Sequence, residues 1–303
     1  MKVAVLIPCL NEEKTVSNVV KSFKTVLPEA LIYVYDNGST DSTVVNAKTA
    51  GAILRSEKLE GKGSVVRRMF ADIEADIYVL VDGDGTYDSS QANVLVETLV
   101  SENLDMVVGT RISSNQRLGH GLGNKAFNFL YRWLFGNRFT DIFSGYRVLS
   151  RRFVKSFPAM SEGFEIETEI SVHASQLRLP ISEIDTDYLP RQEGSESKLR
   201  TFVDGWNILI SMFSLLKNNR PLFLFGTTAL LSMIAALIFG IPVIADFIDT
   251  GLVEKLPTAV LATGLSVISL LLLAVGWILD SVVKGRLETK RIAYLQTYQH
   301  NSF

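Results

Sequence analysis

Over the first third of the chain, short apolar runs alternate with amphipathic stretches. "KVAVLI", "LIYVYD", "GAILRS" and "IYVLVD" are aliphatic and aromatic, whereas "TVSNVVKSFKTVL", "STVVNAKTAG" and "SVVRRMFADIEA" space their apolar residues for one face of a helix. This rhythm, continuing to about residue 110, predicts an α/β fold: a parallel sheet covered on both faces. In such sheets ligands sit beyond the carboxyl ends of the strands. The polar stretches "PCLNEE", "DNGSTDST" and "DGDGTYD" each follow directly on a predicted strand.

The far end differs in kind. Residues 222–248 and 258–279 are almost uninterruptedly apolar, and the second run as a helix covers about 33 Å, enough for a hydrocarbon core of about 30 Å. Two membrane spans are expected. Lys217 and Arg220 precede them and Lys284, Arg286, Lys290 and Arg291 follow, while the connecting loop carries Asp249, Glu254 and Lys255; both ends are therefore expected to face the cytoplasm. "KLRTFVDGWNILISMFSLLKNNR" is amphipathic with basic ends, suited either to the headgroup plane or to packing on the domain. The expected organisation is an α/β domain over 1–198, a juxtamembrane helix over 199–220, two transmembrane helices over 221–280 and a cytoplasmic tail over 281–303.

A net charge of −2 over 303 residues argues against nucleic acid as a partner, since a nucleic-acid binder needs a basic excess. The single cysteine, Cys9, rules out an internal disulfide and reads as a small buried residue at a strand end. His120, His173 and His300 lie too far apart in sequence for a zinc motif.

The chemistry concentrates in "YVLVDGDGTYD". A strand ending in Asp82-Gly83-Asp84 offers hard oxygen ligands, which suit Mg2+ or Mn2+ retaining several waters and shared with substrate phosphates. Two bare carboxylates this close repel, and a divalent cation removes that penalty. A tight turn would use the same residues; an EF-hand is excluded because its remaining acidic ligands are missing. "GFEIETEISVHASQL" reads as a helix on which Glu165 and Glu169 share a face, a like-charge pair that calls for a compensating partner.

"VLIPCLNEEKTV", "VYDNGSTDST", "LEGKGSVVRRMF" and "VDGDGTYD", in that order and spacing, resemble the family 2 glycosyltransferases with the GT-A fold. "DIFSGYRVLSRRF", "EGSESKLRTFVDGW" and the two apolar runs narrow the likeness to the dolichol-phosphate mannose synthase-like bacterial polyprenyl-phosphate glycosyltransferases. The resemblance implies that Pro8, Leu10, Glu12 and Asp36 hold the nucleotide and that Lys62 is a cation beside it, although a solvated lysine is the plainer reading of that position. It makes Asp82 and Asp84 the organisers of the nucleotide sugar, with Asp84 as metal ligand and Thr86 as a second-tier member of the metal shell. It implies an inverting transfer from a nucleotide-diphosphate sugar, UDP favoured over GDP, to polyprenyl phosphate at the inner membrane; a homo-oligomer stays open. Such an acceptor is already ionised and needs cations more than a base; Arg111, Arg147, Arg191 and Lys198 are the candidates, with Asp141 to orient a sugar hydroxyl or the acceptor. The glycine-rich 113–125 reads as a loop over the site, and Glu169 matches an acidic position of the same pattern. The alternatives are transfer to a sugar hydroxyl, as in polysaccharide synthases, and a non-catalytic membrane scaffold.

Overall fold

The structure is a computed structural model that describes residues 1–112, 129, 131–134, 136, 139–161, 163, 165–189 and 213–297. Arg191, Lys198, His120, His300, the 113–125 loop and most of the 199–220 helix lie outside the described residues. The chain divides into two compact units, Met1–Leu199 with Thr289–Phe303, and Arg200–Glu288.

The first unit is built on a seven-stranded sheet in the order β3-β2-β1-β4-β6-β5-β7. β1 (Val3–Cys9), β2 (Leu31–Asp36), β3 (Ile53–Ser56) and β4 (Ile77–Leu80) alternate with α1 (Val16–Val26), α2 (Thr43–Thr49) and α3 (Lys62–Asp72), as the apolar rhythm predicts. These four strands are mutually parallel. After α4 (Ala92–Ser101) come β5 (Met106–Ile112), β6 (Arg147–Ser150), α5 (Arg151–Ser156), α6 (Ile166–Gln176) and β7 (Ile181–Asp187). β6 lies antiparallel between β4 and β5, so the sheet is mixed rather than wholly parallel. The four residues "RVLS" carry too little periodicity to announce their direction, and they join the sheet only after a long excursion from β5.

The helices seat by their apolar stripes. In α1 Val16, Val19, Val20 and Phe23 are buried at the spacing of one helical face, against Val5, Ile7 and Val34 of the strands and Leu95 and Leu99 of α4. Because β1, β2 and β4 run parallel, their carboxyl ends open together: Cys9 pairs in register with Asp36, and Leu6 with Leu80, two residues before Asp82.

In the second unit α7 (Pro221–Thr250) is long and apolar, and α8 (Leu256–Gln296) begins there and is equally apolar over its first turns. Both are long and apolar enough to cross a membrane, and both leave most side chains exposed. They pack as an antiparallel pair: Ser269 Oγ donates to Ala229 O at 2.7 Å and Ser232 Oγ to Leu265 O at 3.0 Å. Small residues allow the approach, Gly240 standing against Ala262. Gly251, at φ 70°, ends α7 in the left-handed conformation that suits glycine.

Candidate functional site

The loop after β1 and the loop after β2 are laced into one wall. Asn11 N donates to Ser39 Oγ at 2.9 Å, Thr40 N to Asn11 Oδ1 at 2.8 Å, Glu12 N to Thr43 Oγ1 at 2.7 Å and Glu13 N to Asp41 Oδ2 at 3.1 Å. Leu10 and Glu12 lie in the loop after β1, and Pro8 is next to last in the strand itself. Asp41 receives Thr43 N at 2.9 Å and so supports the start of α2; burial works against that carboxylate, and its hydrogen bonds outweigh it and hold the pKa below the ordinary range. Asp36 accepts from Gly38 N at 3.1 Å and Ser39 N at 3.2 Å, an Asx-type turn at the strand end.

Asn37 fixes the third side. Its amide N donates to Cys9 O, its Nδ2 to Glu57 O and Leu59 O, and its Oδ1 accepts from Gly61 N at 2.8 Å. Gly61, at φ 106°, turns the chain into α3, whose first residue is Lys62.

β4 delivers the aspartates. Thr15 Oγ1 donates to Gly83 O at 2.7 Å, which ties the turn to the start of α1. Gly83 fits against Cys9, where a Cβ would fall 2.5 Å from the sulfur, and Gly85 occupies φ 73°. Asp84 is buried; its Oδ1 accepts from Thr86 N at 3.1 Å and Thr86 Oγ1 at 2.6 Å. Thr86 is itself buried with its hydroxyl on Asp84, and so orients that carboxylate.

Asp82, partly exposed, reaches the Lys62 ammonium, which also contacts Glu167 Oε1 on α6. Lys62 is not a solvated lysine: its side chain is 10% exposed. Burial would depress its pKa, but the Asp82 and Glu167 charges more than reverse this, so it stays protonated. Glu167 is 6% exposed; burial pushes its pKa up against the opposing pull of Lys62, and its Oε2 has no hydrogen-bond partner among the described residues. Behind Asp82 stands Gly145, where a Cβ would lie 2.6 Å from Oδ2. Tyr87 OH accepts from Gly145 N at 2.8 Å and fixes that wall.

Arg111 and Asp141 come together, but on each other. Nε and Nη2 of Arg111 each donate to the Asp141 carboxylate at 2.7 Å, the bidentate geometry that favours both charges. Burial opposes the Asp141 charge, yet these bonds hold its pKa below the ordinary value, and Arg111 is raised correspondingly. Arg147 corrects the sequence reading: it is fully buried, donating to Ser144 O and Ile142 O at 2.9 Å, and cannot gather a soluble anion. Glu169 finds its compensation in backbone, accepting from Met160 N at 3.0 Å and Ser161 N at 2.8 Å.

Glu167 is the residue that sequence reasoning passes over. The signal is there: with Ile170, Ser171 and Ala174 it forms the buried stripe of α6, an odd place for a carboxylate without a task. Among the described residues no group of three or more His, Cys, Asp or Glu could cage a metal ion. Asp82 and Asp84 together fit the other kind of site, a hard cation that keeps its waters and is completed by phosphate oxygens.

The family model described as Glycosyl transferase family 2 matches residues 4–157. The chain is 31% identical to the glycosyltransferase AglJ of Haloferax volcanii over 304 residues, covering 97% of this chain and 98% of that protein. A dolichyl-phosphate hexose transferase of the same organism is 25% identical over 67% of this chain and 88% of its own length. Glucosyl-3-phosphoglycerate synthase of Mycobacterium tuberculosis, solved with Mn2+, UDP-glucose and phosphoglyceric acid, superposes with a TM-score of 0.58 at 22% identity, over 70% of this chain and 79% of that one. That likeness establishes the GT-A architecture.

Proposed function

Since the chain belongs to glycosyl transferase family 2, we propose that it moves one sugar from a nucleoside-diphosphate sugar to a polyprenyl phosphate, giving a lipid-linked monosaccharide. The observation that carries this reading is the state of the acidic groups beside the aspartate pair: Asp141 is ion-paired with Arg111, and Glu167 with Lys62. A hydroxyl acceptor needs a general base near its proton. A phosphate monoester is largely ionised at neutral pH and needs none. The apolar pair α7 and α8 gives the chain the means to stay where such a lipid is found. A relative named for transfer to dolichyl phosphate supports the same acceptor class.

In this reading the wall formed by Pro8, Leu10, Glu12 and Asp36 receives the nucleoside. Asp84, oriented by Thr86, and Asp82 hold Mg2+ or Mn2+ with the diphosphate. That cation neutralises charge on the leaving nucleoside diphosphate. Glu167 Oε2, buried and without a hydrogen-bond partner among the described residues, is an acceptor for a donor hydroxyl. Arg191 and Lys198 remain candidates for the acceptor phosphate, and attack by a phosphate oxygen from the opposite face inverts the anomeric carbon. The basic flanks of the two apolar helices support a cytoplasmic location for the α/β unit.

The test uses the full chain in detergent with labelled UDP- and GDP-sugars, Mn2+ and undecaprenyl phosphate. The expected product is a lipid-extractable, acid-labile sugar, with the UDP donor preferred. Label appearing only on sugar hydroxyls, with none in the lipid fraction, overturns the proposal.

A further inference from the structure

Lys62 is placed with unusual care for a cation that would merely attract phosphate. Asn37 fixes Gly61 behind it, and its ammonium reaches across to Asp82 on the β4 loop and to Glu167 on α6. The two acceptors are unequal. Asp82 is 29% exposed and stands at the mouth of the cleft, whereas Glu167 is 6% exposed and lies behind. Glu167 also has a spare acceptor, since Oε1 meets Lys62 and Oε2 has no hydrogen-bond partner among the described residues. An ammonium on a flexible four-carbon stem can therefore rotate off Asp82 and keep Glu167 throughout.

We propose that Lys62 is an exchangeable counter-ion, which occupies Asp82 in the empty cleft and releases it when a divalent cation and a nucleoside diphosphate arrive together. The inference rests on the metal–nucleotide reading above and adds a coupling to it. A cation approaching Asp82 and Asp84 alone meets the Lys62 charge. A diphosphate arriving alone meets an ammonium already neutralised by two carboxylates. When both arrive, the metal takes the aspartates and Lys62 turns to the diphosphate oxygens, so that each ligand removes the obstacle to the other. The coupling is reciprocal, as linkage requires.

Mn2+ binding by the full chain in detergent, followed by electron paramagnetic resonance with and without UDP, tests this without reference to turnover. In the wild type UDP should strengthen Mn2+ binding. In Lys62→Met, Mn2+ alone should bind about tenfold more tightly than in the wild type, with the UDP enhancement smaller and reduced to what direct ligation of the metal by the diphosphate supplies. Asp82→Asn supplies a second reading should the methionine variant fold poorly: with EDTA present it should bind UDP about threefold more tightly than the wild type, because Lys62 is released to the diphosphate. That gain should vanish when Lys62→Met is added. Exchange is overturned if Lys62→Met binds Mn2+ alone no better than the wild type, or if the Asp82→Asn gain persists in the double variant. A wild type whose Mn2+ affinity ignores UDP overturns the metal–nucleotide reading itself, and the exchange with it.

Discussion

Two clusters of buried charge lie at opposite ends of the same sheet, and they are finished differently. At the amino end of β5, Asp105 is fully buried and saturated: Ser150 Oγ donates at 2.7 Å, Arg152 through Nε and Nη2 at 3.1 Å each, and Tyr294 OH at 2.7 Å. The Arg152 guanidinium also lies 4.4 Å from the Tyr294 ring centre. At the carboxyl end of β4, Lys62 holds Asp82 and Glu167, one carboxylate partly open to solvent and the other with an oxygen unmatched. A closed cluster has nothing left to offer a ligand and serves cohesion; an open one keeps bonding capacity in reserve. An unmatched atom is not sufficient, since Tyr146 OH and His173 Nδ1 also lack hydrogen-bond partners among the described residues. Those two are enclosed by aromatic rings, whereas Glu167 sits against the Lys62 ammonium.

The contrast separates loss of activity from loss of stability. Asp84→Ala should reduce kcat/KM by about a thousandfold, with a melting temperature near that of the wild type, because on the proposed function it removes a ligand of the diphosphate-bound cation. Asp105→Ala should do the reverse: about 3–5 kcal/mol of stability is lost by chemical denaturation as Arg152 is left uncompensated, while KM for the nucleotide sugar in the folded fraction is unchanged. Glu167→Gln should reduce turnover by about ten- to a hundredfold, with a change of under about 1 kcal/mol in stability, since Lys62 keeps Asp82 as a partner.

His173 gives the pH-dependent case. Burial, assisted by Lys290, pushes its pKa down to about 3, so it is neutral in the fold and binds a proton only when the chain opens. Stability is therefore lost as pH falls through the unfolded value near 6.5, by about 2 kcal/mol at pH 5, and the decline continues to the folded value. Urea melts at pH 7 and pH 5 should show this loss, and His173→Leu should remove it; equal losses in both proteins would assign the effect elsewhere. The smallest change is expected from Tyr294→Phe, about 1 kcal/mol at the closed cluster with donor affinity unaltered.

Local patterns made part of this legible. The βα rhythm of residues 1–110 and the strand-to-turn placement of Asp82 and Asp84 are short-range signals, and the parallel half of the sheet follows them. β6 inserted antiparallel between β4 and β5 depends on pairing across long sequence separations, which periodicity does not carry. Arg147 misleads for the same reason, since an arginine in "SGYR" looks like a surface cation until β6 carries it inside. Glu167 is masked in the sequence by Glu165 and Glu169 on either side, whose shared helical face is the stronger local signal. Its own meaning comes from Lys62, 105 residues earlier.

Asn37 joins the end of β1, the segment after β3 and the entry to α3 through a single side chain and its own amide. Three segments far apart in sequence are thereby fastened to one residue, and the backbone leading into Lys62 is among them; a substitution at this position would release all three together.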